Sequence, residues 1–388
     1  MGTTSYALLV VKYLGVAFEE INTANYTYLI TISSIVAISI LNVIGPRTLS
    51  YLSLLFGVVS ILPFFAFFFL SISTHRVNPS QWFLLPPPHI LNDPKEAFTL
   101  FNNALSIALW SYSGYDASAN ITSNLRDANK NLTKSILFTV VISISTYLLT
   151  LLSTIGIDSN YSEWHAGSFA IFAEKEGGTI FFYIVVFSAA LSNFNAAGAT
   201  LFPTSNNLFA MGGPHYFNSS LLQFKISKKM PTPIVAISLN CLFCCVCVFI
   251  PYNPLIGIAN LLYIFIILCL LASFLKLRFG EYGRNVQRKF IAAKYPLSLF
   301  FLISAPLLTS LALILLSFIS NWLYSLLSFL FFLLLLLLSF LLELCRNKKA
   351  NLPTASSPTL QISSQLSQQS SHHFPQNFPQ QSSQSVIN

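Results

Sequence analysis

The sequence predicts an all-α, polytopic membrane protein, and its composition and the lengths of its apolar runs carry this prediction. Of its 388 residues, 54% are hydrophobic and only 8% are charged, whereas a soluble domain has roughly 25% charged residues. Several runs exceed about 18 residues without a charge, as bilayer-spanning helices require. Strands of a membrane barrel would alternate apolar and polar residues over about ten residues. The composition therefore excludes a soluble enzyme, a nucleic-acid-binding protein and a coiled-coil scaffold.

Nine apolar segments are long enough to cross a bilayer, because a helix needs about 20 apolar residues to do so. These segments are Tyr26–Val43, Leu49–Ile72, Phe98–Ser123, Ser135–Ile157, Thr179–Phe202, Pro233–Ile250, Leu255–Leu275, Leu297–Phe318 and Trp322–Leu342. Upstream, Tyr6–Phe18 is largely apolar but is too short to span and is interrupted by Lys12. It has neither an Arg-rich leader nor a cleavage site. We therefore expect the outer half of a helix whose beginning is absent, and not a signal peptide.

Basic residues are concentrated in every second loop between these segments. One set of alternate loops holds sixteen Lys and Arg residues, and the opposite set holds only Arg76, Lys95 and Lys175. The sixteen are Arg47, Arg126, Lys130, Lys134, Lys225, Lys228, Lys229, the six from Lys276 to Lys294, Arg346, Lys348 and Lys349. Loops rich in Lys and Arg stay in the cytosol, so the C-terminus is predicted to be cytosolic. The acidic loop Asp158–Gly178 then lies outside, and its aromatic residues fit a short interfacial helix that closes an entrance.

Composition divides the chain into three parts: a partial helix and outer segment over residues 1–25, a transmembrane domain over 26–344 and a tail over 345–388. Ser and Gln supply 18 of the 38 residues from Asn351 onward, so the tail is predicted to be disordered and cytosolic. The six cysteines lie within or beside apolar runs, where a free thiol behaves as a small apolar side chain. Neither the run Cys241–Cys245 nor the pair His372–His373 is predicted to bind a metal, and no cofactor is expected.

Asp116 is the only Asp, Glu, Lys, Arg or His within the nine predicted spans. A carboxylate at the centre of a membrane helix costs roughly 2.5–3.5 kcal/mol, so by default it marks a solute pathway or a partnered site. Ser113 and Gly114 just before it favour a break, since Gly costs about 1 kcal/mol relative to Ala in a helix. A broken helix offers its dipole and open carbonyl groups to a solute. We therefore expect a substrate site here; the alternative is that Gly114 permits close packing and Asp116 hydrogen-bonds to a neighbouring helix.

Further aromatic and polar side chains complete the predicted site. They are Trp110, Tyr112, Tyr115, Ser192, Asn193 and Asn195. The three aromatic residues are expected to wall a ligand or stack on its cationic group. The three polar residues lie on the span Thr179–Phe202 and fit a face opposite the break, although tight helix packing is the more common use of such residues. No Walker loop, zinc-ligand spacing or Ser/His/Asp set occurs in a plausible place, so the protein is not predicted to be an enzyme or an ATP-driven pump.

A set of short motifs resembles the amino acid/polyamine permeases of the APC superfamily, in particular their polyamine-uptake and L-type branch. The family's broken sixth helix and the basic loop after it are similar to Trp110–Asp116 with Asp127–Lys130 and Lys134. The segment after its eighth helix is similar to Asn207–Gly212 with Lys228–Pro233, and its tenth helix with the exit is similar to Asn260–Tyr263 with Ala272–Arg278. An early stretch of that branch resembles Pro46–Pro63. Each motif is degenerate, but together they keep the family's order from about Ser5 to Leu344.

The resemblance implies a five-plus-five inverted-repeat fold with a central site at the Ser111–Asp116 break, alternating access and coupling to protons. The alignment starts within the family's third helix, so we expect a truncated fold of nine full spans plus a partial N-terminal helix. Two positions depart from the pattern of polyamine carriers. Ser123 and Asn124 replace a common Gly-Glu pair, and Leu270 stands where such members often have an acid. Both departures weaken the expectation of a dicationic substrate.

Two functions from different classes remain open at this point. The first is a secondary active transporter of amino acids or polyamines in the plasma membrane, in which Asp116 meets a cationic group and a proton is the coupling ion. The second is a non-transporting membrane protein, either a permease remnant or a regulatory or scaffolding partner. A channel is less favoured, because no filter sequence occurs. Asn160 is the predicted glycosylation site, since its sequon lies on the outer side and away from the membrane.

Overall fold

The structure is a computed structural model in which the described residues form ten α-helices. It describes residues 1–74, 77–83, 92–115, 117–118, 127–158, 164, 167–213, 222, 232–280, 295–320 and 322–350. The helices are α1 Gly2–Ala17, α2 Ala24–Ile44, α3 Pro46–Ser73, α4 Pro94–Ser111, α5 Ala128–Ile157, α6 Ser168–Met211, α7 Ile234–Cys247, α8 Tyr252–Phe279, α9 Pro296–Ser320 and α10 Trp322–Ala350. Short 3₁₀ helices cover Glu19–Asn22 and Pro79–Phe83. No strand occurs within the described residues, and the predicted all-α class is confirmed.

Local chemistry explains where two of these helices begin. Gly45 has a φ of 130°, a backbone conformation that only glycine adopts readily, and it separates α2 from α3. The side chain of Asp93 accepts hydrogen bonds from the backbone N–H groups of Lys95 and Glu96 at the start of α4, as an N-cap residue does. Proline follows both capping residues, a position at which its missing N–H has no helical partner to lose.

Seven of the described helices are long and apolar enough to cross a membrane. Two of the nine predicted spans differ from the structure. Pro233–Ile250 contains the 14-residue helix Ile234–Cys247, and the next three residues donate to carbonyl groups three positions back, which tightens the end of the helix into turns. The helix in Phe98–Ser123 ends at Ser111, so this segment is not one continuous span. The total of nine spans therefore stays a prediction.

By contacts the chain divides into two units, Met1–Leu336 and Leu337–Asn388. In the first unit, α1 packs most extensively against α6 and also contacts α2, α7 and α8. The shared core of α1, α2, α6 and α7 contains Ala7, Ile35, Ile38, Ala197, Leu201, Ile237 and Cys244. Small residues such as Ala7 and Ala197 let the backbones of membrane helices approach closely. Polar contacts join the same helices, because the Thr4 hydroxyl donates to the carbonyl of Cys244 at 3.1 Å.

The longest helix, α6, bends near its N-terminal end. Gly178 has a φ of 75° and a ψ of −177° inside an otherwise helical run, so residues 168–177 and 179–211 form two helical pieces. The first piece lies in the loop for which the sequence predicts a short helix. It packs through Phe172 against Trp164, with ring centroids 5.7 Å apart.

Leu201→Ala is expected to destabilise the fold by about 2–4 kcal/mol, because truncating a fully packed Leu leaves a cavity. Leu201 is 0% exposed between α2, α6 and α7. Leu242→Ala is the matched control, since Leu242 on α7 is 63% exposed. Thermal unfolding of purified protein in detergent is the measurement, and the control is expected to change stability by less than about 0.5 kcal/mol. Equal effects of the two substitutions would contradict the packing of α6 described above.

Candidate substrate site

The predicted break is present at the end of α4. The helix stops at Ser111, and the next residue, Tyr112, has non-helical angles of φ −105° and ψ 11°. The hydroxyl of Ser113 donates to the carbonyl of Trp110 at 2.9 Å, so the side chain takes an acceptor that a continuing helix would use. Gly114 follows with a φ of 97°, which a residue with a Cβ adopts only at a cost. The local sequence therefore ends the helix by two mechanisms within four residues.

The unwound backbone is held by another helix. The backbone N–H of Gly114 donates to the hydroxyl of Tyr263 on α8 at 3.2 Å. At membrane depth, non-helical backbone is tolerated only where it is buried in protein or lines a cavity. Tyr263 thus stabilises the break. Tyr263 belongs to the motif Asn260–Tyr263, which resembles the family's tenth helix. That resemblance marks the segment but does not predict the hydrogen bond of Tyr263 to the break.

The three predicted aromatic residues have separate surroundings. Trp110 is half-buried and contacts the ring of Tyr6 on α1, with centroids 5.3 Å apart and planes 38° apart. Tyr112 is 42% exposed and meets the ring of Tyr147 on α5 edge-on, with centroids 5.4 Å apart. Tyr115 is half-buried beyond the break. The break is therefore flanked by α1, α5 and α8.

The polar residues predicted on α6 donate no hydrogen bond to the described residues of the break. The side-chain amide of Asn195 donates to the carbonyl of Ser53 on α3 at 3.2 Å, and that of Asn193 donates to Ala189 within its own helix at 2.8 Å. Ser192 is exposed. The contact of Asn195 with α3 fits the packing alternative, and contact of these three residues with a substrate stays a prediction. Asp116 and Asn160, the predicted counter-charge and glycosylation site, lie outside the described residues.

A cavity of about 680 Å³ lies beside α4, within the range typical of small-molecule sites. Trp110 lines it one turn before the break, together with Ser106 on α4 and Gly257 and Asn260 on α8. The side-chain amide of Asn260 donates to the carbonyl of Ser106 at 3.3 Å, which ties the two helices together at the cavity wall. Composition and spacing gave no role to Asn260, because its partner is 154 residues away in the chain.

A helix broken beside a cavity, within a set of helices long enough to cross a bilayer, indicates an integral multi-pass membrane protein. The comparison with protein families gives the same class. Residues 1–341 match the family described as "Amino acid permease". The chain therefore belongs to the amino acid permease family.

Three relatives of this chain are polyamine transporters or a probable one by name. Polyamine transporter PUT1 of Oryza sativa subsp. japonica is 23% identical over 229 residues, which cover 59% of this chain and 40% of the relative. Polyamine transporter RMV1 of Arabidopsis thaliana is 24% identical over 244 residues, covering 63% of this chain and 47% of the relative. A probable polyamine transporter of Arabidopsis thaliana is 24% identical over 233 residues, covering 59% and 43%. The match spans less than half the length of each relative.

Proposed function

We propose that the protein is a secondary active transporter of amino acids or polyamines that works by alternating access and is driven by a proton gradient. The broken α4 carries this proposal. It ends at Ser111 beside a cavity of about 680 Å³, and a half-helix end exposes backbone groups that bind charged solutes. Membership of the amino acid permease family and the names of the three relatives support a solute of this class.

In the proposed site, the backbone at Ser113 and Gly114 and the carboxylate of Asp116 contact the cationic group of the substrate. Trp110, Tyr112 and Tyr115 gate the site, since their rings flank the break and aromatic faces attract cations. Ser192, Asn193 and Asn195 are proposed to face the substrate from α6 in another state of the transport cycle. The proton is proposed as the coupling ion.

The arrangement in the membrane is also proposed from the charge pattern. The C-terminus of the protein lies in the cytosol, because the loops rich in Lys and Arg stay inside. The plasma membrane is proposed as its location. Residues 26–344 form the transmembrane domain, preceded by the outer segment 1–25 and followed by the cytosolic tail 345–388. Asn160 then carries a glycan on the outer side. A glycan on Asn131 or Asn218, whose sequons are cytosolic in this topology, would reverse the orientation.

Uptake by cells that express the protein tests the function. A panel of radiolabelled amino acids and polyamines is compared with an empty-vector control, and surface biotinylation verifies delivery to the membrane. We expect at least one solute to accumulate above the control and its accumulation to collapse when a protonophore dissipates the proton gradient. Verified delivery without uptake of any solute would instead favour the non-transporting alternative, and uptake that survives the protonophore would remove the proton from the mechanism.

A further inference from the structure

Two side chains of α8 reach α4 on either side of Trp110. The side-chain amide of Asn260 donates to the carbonyl of Ser106 at 3.3 Å, and the hydroxyl of Tyr263 accepts from the backbone N–H of Gly114 at 3.2 Å. Asn260 and Tyr263 are three residues apart, which places them on one face of α8. The same helix therefore contacts α4 both before and after the residue at which α4 ends.

Apolar packing fixes α8 against α4 at this position. Leu261 and Ile264 of α8 are buried, and they lie in one cluster with Leu105 and Leu109 of α4 and Leu313 of α9. Side chains packed in this way leave a helix little freedom to slide or rotate against its neighbour. The hydroxyl group that meets the break is therefore presented from a fixed position.

The N–H of Gly114 does not have the acceptor that a continuing helix would offer. In an α-helix it would donate to the carbonyl of Trp110, four residues before it. That carbonyl instead accepts from the hydroxyl of Ser113 at 2.9 Å and from the N–H of Ser113 at 3.4 Å. Tyr263 thus supplies the acceptor that α4 no longer provides.

The hydrogen bond to Tyr263 restricts a residue that is otherwise free to move. Glycine has the greatest backbone freedom of all residues, and Gly114 is exposed with a φ of 97°. No atom lies within 4 Å of its Cβ position, so packing does not hold it there. A solute that binds a mobile backbone must order it first, which lowers the affinity, whereas a backbone already held in one conformation avoids that cost.

We propose that Tyr263 is a positioning residue of the substrate site, which holds the backbone at Ser113 and Gly114 in the conformation that a solute meets. The tyrosine acts through this backbone and not by contact with the solute. Asn260 and the packed face of α8 keep its hydroxyl level with the break. In assigning the held backbone to a solute, the inference rests on the proposed transport function.

Hydrogen exchange of the full chain in lipid nanodiscs tests the hold on the break without reference to transport. Tyr263→Phe removes the hydroxyl and keeps the ring. Mass spectrometry of peptides that cover residues 112–115 is expected to show exchange about threefold to tenfold faster than in the wild type, as the loss of one neutral hydrogen bond predicts. Tyr263→Met, a second variant without the hydroxyl, is expected to show the same acceleration. Wild-type exchange over α6 verifies that each variant is folded.

Uptake kinetics test the positioning role, with tritiated L-leucine and tritiated spermidine as probes. Tyr263→Phe is expected to raise the KM of the probe that is carried about threefold to tenfold, because part of the binding free energy then orders the backbone. The maximal rate is expected to stay within about twofold of the wild type. A loss of folded protein alone would lower the maximal rate and leave KM unchanged.

Tyr28→Phe is the matched control. Tyr28 on α2 packs its ring against that of Phe249, with centroids 5.5 Å apart, so this change also removes one hydroxyl from a packed ring, and it is expected to alter neither exchange at the break nor KM. Unchanged exchange at the break in Tyr263→Phe, faster exchange with an unchanged KM, or equal changes in Tyr28→Phe would each overturn the inference. Faster exchange without uptake of either probe would instead contradict the transport function; Tyr263 would then hold the break, but no substrate site would be positioned.

Discussion

Asp116→Asn is expected to abolish uptake while delivery of the protein to the membrane is unchanged. Asp116 is the only Asp, Glu, Lys, Arg or His within the nine predicted spans, and a carboxylate at mid-membrane costs roughly 2.5–3.5 kcal/mol to keep there. Asn preserves the size of the side chain and one hydrogen-bond acceptor, but it carries no charge and does not exchange a proton. The substrate then loses its counter-charge. Initial uptake rates against an empty-vector control measure the effect, and surface biotinylation measures delivery.

Asp93→Asn provides the control for the same chemical change at another position. Asp93 is exposed at the N-cap of α4, where it accepts from the backbone N–H of Lys95 at 2.9 Å, and Asn caps a helix about as well as Asp. This variant is expected to take up solute at the wild-type rate. Wild-type uptake by Asp116→Asn would remove Asp116 from the mechanism. Loss of uptake in both variants would show that the effect is not specific to Asp116.

The helices of this protein were largely predictable because the bilayer imposes their length and apolar composition. The predicted segment Leu49–Ile72 lies within α3, and Leu297–Phe318 lies within α9. Hydropathy does not show where a helix continues beyond the hydrocarbon, and α6 accordingly runs to Met211, past the predicted end at Phe202. Nor does it show where a helix stops within an apolar run, which requires the hydrogen-bond and φ arguments that apply at Ser113 and Gly114.

The partners of the candidate site residues were less predictable than the break itself. Polarity, Gly content and a lone acid identify the break from one segment of chain. The contacts of Trp110 with Tyr6 and of Gly114 with Tyr263 join segments that are far apart in sequence, and the composition of one helix does not determine which neighbour it meets. For the same reason the sequence did not show that Asn195 donates to α3.

Gly114→Val is expected to reduce the rate of uptake at least about tenfold, and Gly114→Ala is expected to reduce it less. Gly114 has a φ of 97°, and no atom lies within 4 Å of the position that a Cβ would occupy. The cost of a side chain is therefore conformational and not steric contact with a neighbour. A non-glycine residue in such a region costs about 1–3 kcal/mol, and 1.4 kcal/mol corresponds to a tenfold change in an equilibrium. The substituted chain relieves this strain by extending α4 through the break. The backbone N–H at position 114 then no longer donates a hydrogen bond to the hydroxyl of Tyr263.

Two comparisons separate this conformational effect from a general loss of stability. Gly114→Asn is expected to retain more uptake than Gly114→Ala, because Asn enters the positive-φ region more readily than other residues with a side chain. Gly57→Ala is the control within a regular helix, since Gly57 lies inside α3 with nothing within 4 Å of its Cβ position and Ala is the better helix former by about 1 kcal/mol. It is expected to leave uptake unchanged. If the Val, Ala and Asn variants of Gly114 all took up solute at the wild-type rate, the left-handed turn at this position would have no part in transport. The binding role of the broken helix would then have to be withdrawn, because an extended α4 would serve equally well.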